Sequence, residues 1–418
     1  MGKTIVEKIL SAKSGTDVKA GDTALIEIDV RSARDFGGAS VVQNIESVYP
    51  GEKVADEAKT FFTFDCNAPA NTIGYATNQH KCREFARAQD IKVYDVDAGI
   101  GSHVVIEEGI ALPGKTVVGT DSHLNILGAI GALGQGMGDT DIAFTFRTGK
   151  TWFEVPETIR LKVTGKIVHP ASAKDLTLAV MKFFGASGAL GKVVELYGDL
   201  IDSLDLPQRI TLSSMGTEAG AIAFIIPPDK KILDWCKAKT SEVVTPFYAD
   251  EDAVYSEDLK LDVGVLEPLI AKPGSPNDVV PVRDVAGRPL DAAFIGSCTN
   301  GRFEDFELVA EIIGDRKVNP RVMAKIVPAT KAVFGQLLDS GLMTKFHKAG
   351  FIVSNQGCGG CAQGQIGMTG KNEVQLSTSN RNFRGKQGHG DTYLTSPATA
   401  AASSIMGVIT DPREVMGK

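Results

Sequence analysis

Short apolar runs alternate with helix-like stretches along this chain, and that alternation constrains its fold more than any other feature. Ile91–Val96, Thr116–Thr120, Ala293–Gly296 and Gly350–Ser354 are short buried-strand patterns closely followed by Gly, Asp or Ser. Helical stretches such as Thr77–Gln89 and Glu304–Ile313 lie between such runs. Strands alternating with helices build mainly parallel sheets, so the expected fold class is α/β. Ligands bind such folds beyond the carboxyl ends of the strands. Asp121-Ser122-His123, Cys298 and Cys358 each follow an expected strand closely, so all could meet in one cleft.

At 418 residues the chain is too long for one ordinary core and predicts two to four domains. A break is expected at Glu154-Val-Pro-Glu157, and a linker over the polar stretch from Lys272 to Pro289. The expected domains are 1–156, 157–285 and 286–418. Near the end, Ser396-Pro397 opens an Ala-rich helix with a cap residue and then Pro at the first helical position.

Several function classes are disfavoured. The formal net charge of −7 argues against a general nucleic-acid binder. The longest apolar run, Ala219–Ile226, ends at Pro227-Pro228 and is too short to span a bilayer. The N-terminal stretch reads as an amphipathic helix without the apolar core of a signal peptide. Gly2 is a poor myristoylation match because position 6 is Val. A cytoplasmic protein is expected. Six cysteines in so long a chain are no disulfide framework, and reduced thiols are expected.

Three of those cysteines carry the chemistry. Cys298 sits in Gly-Ser-Cys-Thr-Asn-Gly, while Cys358 and Cys361 sit in Gly-Cys-Gly-Gly-Cys-Ala. A CxxC pair alone also reads as zinc or redox chemistry. With one remote thiolate it gives three soft ligands, one short of a closed site, which leaves a metal position open as a catalyst requires. Cys82 and Cys236 fall in helical patterns and read as core.

Gly119-Thr-Asp-Ser-His123, Ile295-Gly-Ser-Cys-Thr-Asn300, the Cys358/Cys361 pair and Ser379-Asn-Arg-Asn-Phe383 together resemble the aconitase family. Pro69-Ala-Asn-Thr72 and Ser396–Ala402 resemble its large subunits of the isopropylmalate dehydratase, homoaconitase and dimethylmalate dehydratase type. The resemblance runs along essentially the whole chain. It implies three α/β/α domains around a [4Fe-4S] cluster held by Cys298, Cys358 and Cys361, with one iron open to substrate. It implies dehydration and rehydration of hydroxy di- and tricarboxylates, here a small hydroxy-dicarboxylate such as a 2- or 3-substituted malate. It also implies a separate small subunit carrying a swivelling domain and a serine base, and so a hetero-oligomer, with no role for nucleic acid or membrane.

Residue roles follow by position. Arg381 resembles the substrate-carboxylate arginine, and a guanidinium fork suits that task. Asn380 is expected beside the cluster sulfurs. Asp121, Ser122 and His123 follow a strand, and His123 is expected to pair with Glu218 to pass protons or hold water. The chain then leaves the family's pattern repeatedly. Asp65-Cys66 stands where the family usually has Asp-His. Ser102 takes a histidine position, with His103 one residue later. Arg34-Asp35 replaces a His-Asp pair, Ser213-Ser214-Met215 replaces Cys-Asn-Met, and Lys386 replaces a second arginine. Lysine binds a carboxylate only as a point charge. The expected catalytic set is therefore Asp121, His123, Glu218, Asp65, Cys66 and His103; Arg381, Lys386, Ser122 and Arg34 are the substrate set, and Asn380 and Ser214 lie beside the cluster.

Cys66 keeps three readings open: a packing residue, an acid/base or thiol-handling group, or a fourth cluster ligand. Two alternative functions go with these departures. One is an iron–sulfur lyase or isomerase with another leaving group, and the other is a sealed-cluster sensor or electron carrier. Gly109-Ile-Ala-Leu-Pro-Gly-Lys-Thr116 matches a phosphate-loop pattern, but Pro113 removes an amide and Val117-Val118 continue as a strand, so nucleotide binding is rejected. The glycines at 128, 131, 134, 136 and 138 are expected to permit close packing rather than to bind a dinucleotide.

Overall fold

The computed structural model describes residues 2–361 and 365–416. The N-terminal part holds β1 (Thr23–Glu27), β2 (Val30–Arg34), β3 (Thr60–Thr63), β4 (Lys92–Tyr94), β5 (Thr116–Gly119), β6 (Leu133–Gly136) and β7 (Lys150–Glu154). There follow β8 (Thr158–Ile167), β9 (Val193–Tyr197), β10 (Ala223–Ile225) and β11 (Glu257–Leu266). The last part holds β12 (Leu269–Ala271), β13 (Val279–Pro281), β14 (Ala292–Gly296), β15 (Met323–Val327), β16 (Ile352–Val353), β17 (Val374–Ser377) and β18 (Asp391–Thr395).

These strands form three helix-covered sheets and one ribbon. A five-stranded parallel sheet has the order β4-β3-β2-β5-β6. A four-stranded parallel sheet has the order β10-β9-β8-β11. A seven-stranded sheet has the order β13-β12-β18-β17-β14-β15-β16, with only β12's two pairings antiparallel. β1 and β7 pair as the antiparallel ribbon. The fold is α/β as expected. Buried parallel strands need apolar side chains on both faces, and β2, β3, β5 and β14 are nearly continuous buried runs.

Strand order places the ligand cleft. In the first sheet the order reverses between β2 and β5, so the loops after Arg34 and Gly119 diverge and leave a crevice. In the third sheet it reverses between β14 and β17, opening a crevice after Gly296 and Ser377. The two crevices face each other across one cavity.

Local chemistry explains most element ends. The first helix, Ile5–Ser14, starts with a reciprocal cap between Thr4 and Glu7 and buries Ile5, Val6, Ile9 and Leu10. Ser396 accepts from the Thr399 amide and opens Pro397–Met406. The helix expected from Thr77 starts at Ile73 instead, with Thr72 Oγ1 accepting from the Tyr75 amide. Its first turn carries an exposed Ile73, so apolar periodicity could not reveal it. The stretch 272–289, expected as a linker, contains β13, which pairs with β12 and joins the third sheet ahead of residue 286. Val279 and Val282 are buried there, and that burial holds a polar-looking segment in the sheet. The phosphate-loop look-alike is a short turn running into β5, and Lys115 Nζ bonds Glu242 and the Ile110 carbonyl. Close packing at Gly128 is real: a Cβ there would lie 1.9 Å from the Phe224 carbonyl oxygen. Among the described residues no helix is long and apolar enough to cross a membrane.

Candidate active site

One cavity of about 790 Å³ lies where the loops after β2, β5, β14 and β16 meet. All three expected ligand cysteines line it. β14 ends at Gly296, and the next residue, Ser297, has φ 76, a left-handed conformation unusual for a side-chain-bearing residue. That sharp turn delivers Cys298 into the cavity, where its thiol donates to Asn380 Oδ1 at 3.2 Å. Asn380 is fixed in turn by its Nδ2 donating to the Ser214 carbonyl at 3.0 Å. Ser214 thus serves through its backbone, while its hydroxyl donates to Thr211 O. The Cys358 amide donates to Asp65 O at 2.9 Å, tying the CxxC turn to the loop after β3. Ala362, the last residue of that motif, lies outside the described residues.

The thiols fit a soft metal centre. Burial pushes the Cys298 thiol well up, and Cys361, Asp121 and Cys358 push it further. Burial also raises the Cys361 thiol, with Lys386 and Arg381 opposing. Three thiolates buried around one cavity are costly unless a cation compensates them, and metal coordination supplies one.

The wall opposite is a charge network. Arg34 donates Nε to Asp65 Oδ1 at 2.7 Å, Nη1 to Asp121 Oδ1 at 2.9 Å, and Nη2 to Cys358 Sγ. Burial opposes its charge, but Asp121 and Asp65 outweigh burial and hold it protonated. Asp65 is pushed up to about 6 by burial, with Arg34 opposing. Burial also opposes ionised Asp121, but Arg34 and His123 win and hold it below the usual carboxylate range. Asp35 fixes the Cys66 turn by accepting from the amides of Asp65, Cys66 and Asn67 and from Gln79 Nε2. Cys66 lines the cavity and its thiol is raised by its hydrogen bond with Cys358 and by burial. Ligand atoms of Asp65, Cys66 and Cys358 lie within 4.8 Å of one another.

The third group brings together loops from all three sheets. His123 Nε2 meets Glu218 Oε1 at 3.1 Å, and Arg381 Nε donates to the same oxygen at 2.7 Å. Ser122 Oγ sits 3.4 Å from Arg381 Nη1. Burial would raise Glu218, but His123 and Arg381 hold its carboxyl low. Lys386 lines the same cavity.

Comparison with known proteins gives this arrangement a context. The family model for the aconitase family (aconitate hydratase) matches residues 7–289 and 283–407. The chain is 42% identical to 3-isopropylmalate dehydratase large subunit 1 of Methanopyrus kandleri over 99% of both chains. The chain belongs to the aconitase family. It is also 40% identical to a probable methanogen homoaconitase large subunit of Methanothermobacter thermautotrophicus, over 99% of this chain and 98% of that one. Crystalline aconitase X of Thermococcus kodakaraensis, in its holo-form, matches with a TM-score of 0.51 at 13% identity, covering 90% of this chain and 89% of that one, and shows a shared fold. Membership in the aconitase family implies an iron–sulfur cofactor, and the buried thiol and carboxylate group suits one.

Of the expected catalytic residues in this aconitase-family chain, Asp65 and Glu218 stand behind the cavity wall, bonded to Arg34 and Arg381, which line it. His103 does not line the cavity. It is fully buried behind Cys298, with Nε2 2.9 Å from the Cys298 carbonyl and Nδ1 3.4 Å from Arg302. Burial, helped by Arg302, lowers its pKa to about 3, so it stays neutral. Its role here is to support the turn that carries Cys298. Lys174 went unnoticed in the sequence. It is fully buried and donates to Met215 Sδ, Thr378 O and Ser379 O. It thereby fastens the loop carrying Asn380 and Arg381, and burial lowers it to about 7. Its position four and seven residues before buried Leu178 and Met181 was a signal that it lies on an apolar helix face.

Proposed function

We propose that this protein is the cytoplasmic large subunit of an iron–sulfur hydro-lyase that dehydrates and rehydrates a small hydroxy-dicarboxylate. The observation that carries this reading is the convergence of Cys298, Cys358 and Cys361 on the cavity that also holds Arg381 and His123. Relatives at 42% identity are named 3-isopropylmalate dehydratase large subunits, which supports 2- or 3-substituted malates as substrates and a small subunit as partner. One domain is assigned to each sheet.

The three cysteines would hold a [4Fe-4S] cluster, which supplies a Lewis-acidic iron for a hydroxyl oxygen when bound. This chain's residues do the rest. Arg381 and Lys386 take the substrate's carboxylates, with Arg381 already oriented by Glu218. The His123–Glu218 pair holds a proton beside Ser122. Arg34 keeps Asp65 and Asp121 in place and charged groups out of solvent. The serine that removes the substrate proton comes from the small subunit.

The test is anaerobic reconstitution with iron and sulfide, addition of the small subunit, and an ultraviolet screen of malates including 3-isopropylmalate. Unsaturated product is expected, and Cys298→Ser should abolish both cluster and product. An intact cluster with no turnover of any malate would overturn the reading. One observation favours a second reading, a sealed cluster with Cys66 as a further ligand: the Cys66 thiol bonds Cys358. Ready oxidation to a three-iron species, seen by electron paramagnetic resonance, would exclude it.

A further inference from the structure

The cavity contains a hydroxyl that nothing above uses. Tyr75 lies in the first turn of the helix Ile73–Gln89 and lines the cavity. Its hydroxyl oxygen is buried and has no hydrogen-bond partner among the described residues. A buried hydroxyl left unpaired costs about 1–3 kcal/mol, so a native protein that keeps one commonly has a use for it. One turn further along the same helix, Gln79 donates to Asp35 and to the Asn67 carbonyl, which places Tyr75 at the Cys66 end of the cavity.

The charged groups of that end are already engaged. Arg34 donates to Asp65, Asp121 and Cys358. Asp35 is saturated by backbone amides and Gln79. Two carboxylates, Asp65 and Asp121, already share one guanidinium there, so a substrate carboxylate is disfavoured. The remaining cationic side chains of the cavity are Lys386 and Arg381, the latter bonded to Glu218. The cavity is therefore polarised: a cationic end for carboxylates, and a neutral donor at the end suited to an uncharged oxygen.

We propose that Tyr75 is a catalytic residue that donates a hydrogen bond from its hydroxyl to the substrate oxygen that leaves as hydroxide. The proposal rests on the hydro-lyase reading. When the carbon–oxygen bond breaks, its electron pair goes to that oxygen, and the Tyr75 hydrogen bond strengthens as charge builds. Tyr75 keeps its proton throughout: burial, then Cys66 and Asp35, raise its pKa above the ordinary phenol value. The leaving hydroxide takes up the proton removed from carbon elsewhere, so water is the net product.

Tyr75→Phe removes one oxygen atom and tests this directly. With matched iron and sulfide content and an unchanged melting curve, kcat should fall about 100-fold while KM moves little, as for loss of one transition-state donor. Unchanged kcat would overturn the proposal, and so would a raised KM with normal kcat. A second measurement does not need turnover. Malate added to the cluster-loaded protein should give a tyrosine ultraviolet difference band that Tyr75→Phe lacks. The same band in both proteins, or none in the wild type, overturns the proposal. If the band behaves as expected but no malate is turned over, the hydro-lyase reading fails and Tyr75 remains a ligand contact.

Discussion

The cavity wall built from the seven-stranded sheet and the wall built from the five-stranded sheet hold their polar groups in different ways. The first presents thiols and an asparagine on tight turns after β14, β16 and β17, fixed by uncharged hydrogen bonds to Asn380, Ser214 and Asp65 backbone or side-chain groups. The second presents a buried guanidinium, Arg34, that binds two carboxylates from loops 31 and 87 positions away in sequence. The first wall is held by separate uncharged hydrogen bonds, and the second is one buried electrostatic unit. A separate hydrogen bond loses a single function when broken. A buried charge network loses its whole balance, because breaking one pair strands the other charges in a dry interior.

That contrast can be broken experimentally. The largest effect is expected at Arg34→Met, which leaves Asp65 and Asp121 unpaired and should cost about 3–5 kcal/mol in urea unfolding of the cluster-free protein. A loss near zero would mean the second wall is not a unit. On the first wall, Arg381→Lys should keep the fold and lower kcat/KM about 100-fold, near 2.7 kcal/mol, because a fork becomes a point charge. Equal damage to stability and activity would erase the distinction between the walls.

Lys174→Met probes the first wall's hidden charge and should cost about 1–3 kcal/mol by leaving the Thr378 and Ser379 carbonyls without their donor. The sign of its pH dependence is fixed. The native pKa is depressed from 10.5 to about 7, so the folded state favours the neutral amine. That contribution is present above 10.5 and is lost as pH falls through about 7. The deficit of Lys174→Met should therefore shrink as pH falls across that window, as denaturation midpoints will report. The smallest effect belongs to Lys115→Ala at the phosphate-loop look-alike. Its partner Glu242 is exposed, so the change should cost under about 1 kcal/mol and leave activity intact. Nucleotide binding by the wild-type protein would contradict this.

The two walls were not equally legible. Cys298, Cys358 and Cys361 sit in short motifs whose residue types carry the chemistry, and the strand-then-turn pattern around them is local, while Asn380 and Arg381 followed from family resemblance. The pairing of His123 with Glu218 followed from family resemblance, and the structure brings the two together. His103 was read as a catalytic candidate from its place beside Ser102. Only helix phase and packing show that it turns behind Cys298, away from the cavity. The residues 272–289 read as a linker because composition cannot show that Val279 and Val282 find a buried sheet edge.

The sequence by itself determined the α/β class and the three thiols, and family resemblance pointed to Arg381. The first two rest on local periodicity and on residue type, which the order of amino acids states directly. Only the tertiary structure decided that Arg34 binds both Asp65 and Asp121, that Lys174 lies buried beneath the Asn380 loop, and that Tyr75 keeps an unpaired hydroxyl in the cavity. Each of these depends on which distant loops meet and on how much water they exclude, and burial and neighbouring charges together set the charge states.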